Sequence, residues 1–191
     1  MSALPNLESL HIYGDFSYSY LNYKIIRPNN FIILVIDSVN SGLAIEQLFS
    51  LDMPKLEYFE IWLDGLLNPE LILEAMHPFL FDSTMPNLKH LALCHCECVD
   101  NLIELIINSP LVEQIITLDF KLGNMSDRSI QYILDCPRLN HLKKINVSNN
   151  CLSDIAIRQL KELHFEVEAT NQYFSQEERA WMNNPNRRLT E

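Results

Sequence analysis

The densest run of reactive side chains is Cys94-His95-Cys96-Glu97-Cys98. Thiolates and imidazole are the ligands zinc prefers, but the spacing opposes a metal centre. Alternate residues at a strand end point to opposite faces, so if Cys96 points inward, Cys94 and His95 face elsewhere. The sequence offers no second C-x-x-C or H-x-x-x-H pair to complete four ligands. His90 and Cys94 suggest a nucleophile and its base. On a strand they lie roughly 13 Å apart at about 3.3 Å per residue, beyond the reach of about 3 Å that a base requires. Glu60 and Asp119 are a pair of carboxylates. If they occupy one row two strands apart, roughly 9.6 Å separates them, near the upper end of the spacing in inverting glycosidases. Ala92 between them would leave a gap and Trp62 could stack on a sugar, but an open sheet neither excludes water nor raises a carboxyl pKa by burial. A hydrolase is the weakest of the readings, and no cofactor or metal is expected.

The positions of these residues follow from a repeat. Leu4-Pro5-Asn6-Leu7-Glu8-Ser9-Leu10-His11-Ile12, Met53-Pro54-Lys55-Leu56-Glu57-Tyr58-Phe59-Glu60-Ile61, Met85-Pro86-Asn87-Leu88-Lys89-His90-Leu91-Ala92-Leu93 and Leu139-Asn140-His141-Leu142-Lys143-Lys144-Ile145-Asn146-Val147 all end in apolar-x-x-apolar-x-apolar. Phe31-x-x-Leu34-x-Ile36 and Ile115-x-x-Leu118-x-Phe120 fit the same frame. Its starts fall at 7, 31, 56, 88, 115 and 142, with gaps of 24, 25, 32, 27 and 27. A degenerate seventh copy ends in Phe165-x-Val167-x-Ala169, 20 residues after the sixth. Period-2 alternation makes each frame a short strand with one face inward. Stretches of helical character follow, at 43–48, 70–76, 101–107, 129–134 and 155–160, and Ser126-Asp127 and Ser153-Asp154 are expected to cap the last two. A strand, a turn and a helix in each period mean parallel strands joined by helical crossovers.

The copy Leu142-x-x-Ile145-x-Val147-x-x-Asn150-x-Leu152-Ser153-Asp154 resembles the leucine-rich repeat of the ribonuclease-inhibitor-like kind, L-x-x-L-x-L-x-x-N/C-x-L-(S/T)-D, and Leu88-x-x-Leu91-x-Leu93-x-x-Cys96 carries the alternative cysteine. The resemblance covers roughly residues 4–169. It departs at Gly123, Asp64, Val39 and Asp15, which occupy the Asn/Cys position of other copies, so the buried polar ladder is expected to be incomplete. A doubly wound α/β sheet is the rival, but four glycines and no G-x-G-x-x-G or G-K-[ST] disfavour it. The resemblance implies an α/β solenoid of six to seven repeats over residues 1–170, with parallel strands on the concave face and helices on the convex face. A capping helix beginning at Ser175 and carrying Trp181, then a flexible tail, are expected over 171–191. No N-terminal cap is visible. The first strand's outer edge is therefore exposed, or pairs with another chain, or the chain is a piece of a longer array.

In that family the side chains between the apolar frame positions face solvent on the concave sheet. They form three rows. The first is Ser9, Ile33, Tyr58, His90, Thr117, Lys144 and His164. The second is His11, Val35, Glu60, Ala92, Asp119, Asn146 and Glu166, and the third is Tyr13, Asp37, Trp62, Cys94, Lys121, Ser148 and Glu168. Tyr13, Ile33, Val35, Tyr58 and Trp62 have the composition of a protein-binding hot spot. The alternative is that the segment from Phe16 to Asn30 folds over them. Glu60 and Asp119 would set charge selectivity toward a basic patch on a protein partner, and His90 completes the expected contact set.

Composition sets the outer limits. The chain has 191 residues, 48% hydrophobic and 20% charged, enough apolar content for one large core and too little charge for disorder. Its 25 acidic and 14 basic side chains give a net charge of −11, which argues against nucleic acid and anionic membranes as partners. The longest apolar run, Phe31 to Ile36, is six residues. With no signal peptide and an odd number of cysteines, five, a reduced cytoplasmic chain is expected. Its expected role is a non-enzymatic protein-interaction scaffold. The alternative is an assembly module that self-associates through the N-terminal strand edge.

Overall fold

The structure, a computed structural model, describes residues 7–15, 28–39, 52–63, 68–82 and 84–173. The helix expected at 43–48, the cover segment at 16–27, the capping helix from Ser175 and the tail lie outside the described residues. Seven parallel strands, β1 (Ser9–Asp15), β2 (Ile33–Val39), β3 (Tyr58–Trp62), β4 (His90–Cys94), β5 (Thr117–Asp119), β6 (Lys144–Asn146) and β7 (Glu166–Glu168), form one open sheet in chain order. Four α-helices are described: α1 (Pro69–Phe81), α2 (Val99–Asn108), α3 (Asp127–Leu134) and α4 (Asp154–Lys161). Each described helix packs against the next along the chain.

The frame sets this arrangement because its apolar positions stack. Leu34, Phe59, Leu91, Leu118 and Ile145 stand in register across β2 to β6, each at most 2% exposed. Ile36, Ile61, Leu93, Phe120 and Val147 form a second buried row. The helices supply the other side of the core with stripes at helical spacing, such as Val99, Leu102, Ile103 and Ile106 of α2. Ser126 and Ser153 cap α3 and α4 as expected, their hydroxyls accepting from the Arg128 and Ala156 amides. A carboxylate one repeat back holds each cap in turn. Asp100 accepts from the Ser126 amide and hydroxyl (2.9 and 2.5 Å), and Asp127 from those of Ser153 (2.8 and 2.6 Å).

Beyond each of the last four strands the chain turns through a left-handed residue. His95, Leu122, Asn149 and Asn171 have φ of 55, 61, 56 and 54°. For side-chain-bearing residues that conformation costs about 1–2 kcal/mol, so its recurrence marks a fixed turn. The His95, Leu122 and Asn149 amides donate to the carbonyls of Lys121, Ser148 and Thr170.

That turn corrects the expected seventh strand. Glu166, and not His164, stands opposite Lys144, and Glu168 stands opposite Asn146. The cause is the exit from α4: a turn closed by Leu163 N–H on the Leu160 carbonyl, followed by buried Phe165, delays the strand by two residues. The Glu166 amide then donates to Lys143 O (2.9 Å), as the His90 amide does to Glu57 O (3.0 Å) one step into β4.

The buried amide ladder lacks a side chain at Gly123, as expected, and its described amide rungs are Asn150 and Gln172. The Asn150 side chain donates to Phe120 O (2.8 Å) and Ser148 O (3.2 Å) and accepts from the Met125 amide (2.8 Å). Gln172 repeats this pattern one turn later, donating to Val147 O (2.9 Å) and Thr170 O (3.3 Å) and accepting from the Leu152 amide (3.1 Å). At Gly123 the missing side chain is space that Asn150 uses: a Cβ there would sit 2.6 Å from Asn150 Oδ1.

Candidate functional site

The face of the sheet opposite the core carries the first two expected rows in the expected register from β1 to β6, and the third is paired as expected at Tyr13–Asp37 and Trp62–Cys94. It separates into two regions. Toward β1, Tyr13 (63%) and Ile33 (36%) are exposed, and His11 Nδ1 lies 3.3 Å from the Tyr13 hydroxyl. Val35 does not belong to an exposed patch. It is 7% exposed, its short branched side chain lying between His11 and Glu60 on the flanking strands.

The centre is a polar cluster built on β3, β4 and β5. Alternation puts Tyr58, Glu60 and Trp62 on one face of β3. There the Tyr58 hydroxyl and the Trp62 indole N–H (2.7 Å) both donate to the Glu60 carboxylate, one to each oxygen. Lys121, just past β5, extends back across β4. Its ammonium lies 3.5 Å from Glu60 Oε1, 3.7 Å from Asp119 Oδ2 and 5.2 Å from the centre of the Trp62 ring. Asp119 also accepts from the Lys121 backbone amide (2.8 Å) and from Asn146 Nδ2 (3.3 Å). His90 pairs through Nδ1 with Thr117 Oγ1 (2.7 Å) and lies beside the Tyr58 ring.

Cys94, expected on the exposed face, is fully buried. Trp62 flanks it in register and Lys121 reaches it from above. The nucleophile pairing with His90 is not formed, since His90 bonds Thr117 instead. Cys96 and Cys98 are also buried, with their sulfurs 3.3 Å apart, and none of the five cysteines is joined in a disulfide. Among the described residues, no group of three or more His, Cys, Asp or Glu side chains could hold a metal ion. No described helix is long and apolar enough to cross a membrane.

The electrostatics of the cluster follow from burial set against donors. Burial alone would raise the Glu60 carboxyl, but the bonds from Tyr58 and Trp62, with the charge of Lys121, hold it below its ordinary value. Asp119 goes the other way: burial outweighs the Lys121 amide and ammonium and lifts it. Burial and the neighbouring Glu60 push the Tyr58 phenol up, and burial with Asp119 does the same to the Cys94 thiol. Burial lowers His90.

A depressed carboxyl stabilises the fold above its unfolded-state pKa, about 4.3, and loses that contribution as pH falls through its folded value. Glu60→Gln, which keeps the shape and removes the charge, is therefore expected to reduce stability by about 1–2 kcal/mol at pH 7. That corresponds to a melting temperature lower by about 4 °C. Melting curves of both proteins from pH 7 to pH 2 should converge at the acid end. Comparing the two chains cancels the part of the Asp119 contribution that burial sets, while the part set by the Glu60 charge is removed with that charge. A gap that stayed constant with pH would show that the charge of Glu60 contributes nothing.

Of the expected contact residues, Tyr58, Glu60, Trp62, His90 and Asp119 come together at the centre, while Tyr13 and Ile33 lie toward the β1 edge. Sequence reasoning placed Lys121 in its row but missed it as the bridge between both carboxylates. The signal available was Asp119-x-Lys121, which puts an acid and a base on one face. It missed Thr117 as the partner of His90 as well, although the register sets them side by side.

No family model matches the sequence, and no curated protein is similar to it at a significant level. The fold is similar to the crystal structure of a protein from Bacteroides fragilis determined by a structural genomics consortium, with a TM-score of 0.64 and 23% identity. The match covers 77% of this chain and 44% of that one, so the matched part spans less than half of the other protein's length. At that identity the likeness shows the fold alone.

Proposed function

We propose that the chain is a leucine-rich repeat solenoid of the ribonuclease-inhibitor-like kind, and that it acts as a non-enzymatic, cytoplasmic protein-interaction scaffold whose partner docks on the sheet face away from the core. The observation that carries this reading is the central cluster: Tyr58 and Trp62, both half-buried, are locked in place by Glu60 on a sheet of seven strands. Aromatic side chains already fixed by hydrogen bonds meet a partner with little further loss of rotamer freedom. The repeated left-handed turn, the Asn150–Gln172 ladder and the serine caps support the solenoid. The odd number of cysteines, five, suits a reduced chain better than a disulfide framework. Glu60 is engaged by three donors, which suits an anchor better than a catalytic proton carrier.

Affinity capture from source-cell extract, with the captured partner then purified and titrated directly, tests the reading. Trp62→Ala should weaken that binding by more than about 2 kcal/mol while the circular dichroism spectrum stays unchanged. Unchanged affinity, with the fold intact, would remove the sheet face as the docking surface.

A second reading, assembly through β1, is favoured by one observation. Leu10 and Ile12 are only partly buried, whereas their register partners Leu34 and Ile36 are 0 and 8% exposed. Light scattering over a concentration range separates the two: a mass rising above 22.2 kDa supports assembly, and a constant 22.2 kDa excludes it.

A further inference from the structure

The ammonium of Lys121 sits in a corner whose walls are the Trp62 ring and the carboxylates of Glu60 and Asp119. These are the elements of a cation receptor, an aromatic face beside paired anions. Lys121 fits it poorly. Its carboxylate distances of 3.5 and 3.7 Å exceed the 2.7–2.9 Å of a well-formed charge-assisted bond. A single ammonium also serves two carboxylates, and burial keeps Asp119 harder to ionise than usual despite it. A planar guanidinium would do better on both counts, since it can bond a carboxylate through two parallel N–H groups while stacking on an indole.

The surroundings favour a cation from outside. The strand register puts Asp37, Glu60, Asp119, Glu166 and Glu168 on the same face against two amines, Lys144 in register and Lys121 placed there by its contacts with Glu60 and Asp119. Both amines are already in ion pairs, Lys144 with Glu166 and Glu168 at 3.0 Å each. The face therefore has carboxylate left over and no free ammonium in these rows. Lys121 is 30% exposed, so it can swing outward without unfolding a strand.

We propose that the corner formed by Trp62, Glu60 and Asp119 receives an arginine side chain of a protein partner, and that Lys121 is the resident competitor that the arginine displaces. The proposal rests on the sheet-face reading above and specifies the chemistry of the partner: a basic segment presenting arginine. It also makes Lys121 a determinant of specificity. A partner side chain must out-compete a tethered ammonium, which an uncharged or badly placed group does not.

The probe is the tripeptide N-acetyl-Gly-Arg-Gly-amide, with its uncharged citrulline isostere as control. The readout is the indole N–H resonance of Trp62 in a ¹⁵N-labelled chain, distinguished from that of the only other tryptophan, Trp181, by its loss in Trp62→Phe. The arginine peptide should shift the Trp62 resonance saturably and the citrulline peptide should not. Lys121→Met should bind the arginine peptide about tenfold more tightly than the natural chain, because the competitor is gone. Asp119→Asn, a variant expected to fold because burial already disfavours the charge it removes, should bind about tenfold more weakly. Equal shifts from citrulline, no gain in Lys121→Met, or unchanged binding in Asp119→Asn would each overturn the proposal. The titration contains no protein partner, so it fails separately from the sheet-face reading. A failed titration with Trp62→Ala still weakening the partner removes the arginine receptor alone.

Discussion

Asn150→Ala is expected to lower the free energy of unfolding by about 3–5 kcal/mol, read as a shift of the urea midpoint with an unchanged slope. Asn150 is fully buried, and its carboxamide serves two repeats at once. Removing it strands the Met125 amide, which donates to Oδ1 at 2.8 Å, and the Phe120 carbonyl, which accepts from Nδ2 at 2.8 Å. Each buried group left unsatisfied costs about 1–3 kcal/mol, and the vacated volume adds a cavity term. Gln172→Ala is the internal control. Gln172 makes the equivalent bonds to Val147, Thr170 and Leu152, but it is only half-buried, so water can replace it. Its loss should be about 1 kcal/mol. Equal losses at the two sites would mean that the ladder acts through local turn geometry and not through burial.

Gln172 also shows what the hydrophobic pattern can and cannot specify. The rows Ser9, Ile33, Tyr58, His90, Thr117 and Lys144 were readable because the frame starts set the register directly, and the structure pairs those residues in sequence. The seventh strand was misplaced by two residues. Phe165, Val167 and Ala169 alternate with period 2, and a shift of two leaves such a pattern unchanged. Only a feature outside the alternation could fix the register. Asn171 and Gln172 were that feature: a residue type tolerant of the left-handed turn, followed by an amide. In the central cluster the same limit applies to exposure. Alternation assigned Val35 and Cys94 to the outer face correctly, but row membership says nothing about the size of the neighbours. Val35 disappears between His11 and Glu60, and Cys94 beside Trp62 and under Lys121.

Gly123→Ala should destabilise the chain by about 2–4 kcal/mol, and the cause can be isolated by combining it with Asn150→Ala. A Cβ at residue 123 would lie 2.6 Å from Asn150 Oδ1 and 2.7 Å from Val99 Cγ2, with Phe120 O at 3.1 Å. Contacts under 3.0 Å force something to move. If Asn150 moves, its bond from the Met125 amide breaks, and the variant reproduces part of the Asn150→Ala defect. If Val99 moves, the first turn of α2 shifts within a core where that residue is fully buried. The two routes separate in a double-mutant cycle. With Asn150 already alanine, the oxygen contact is gone and the new methyl enters vacated space, so Gly123→Ala should then cost about 1–2 kcal/mol less than in the natural chain. A strictly additive cycle would assign the effect to the contacts with Val99 and the Phe120 carbonyl. A sub-additive one shows that the glycine of the fifth repeat and the asparagine of the sixth are a single structural choice. The amide that bonds across to residues 120 and 125 needs the volume that a side chain at 123 would fill.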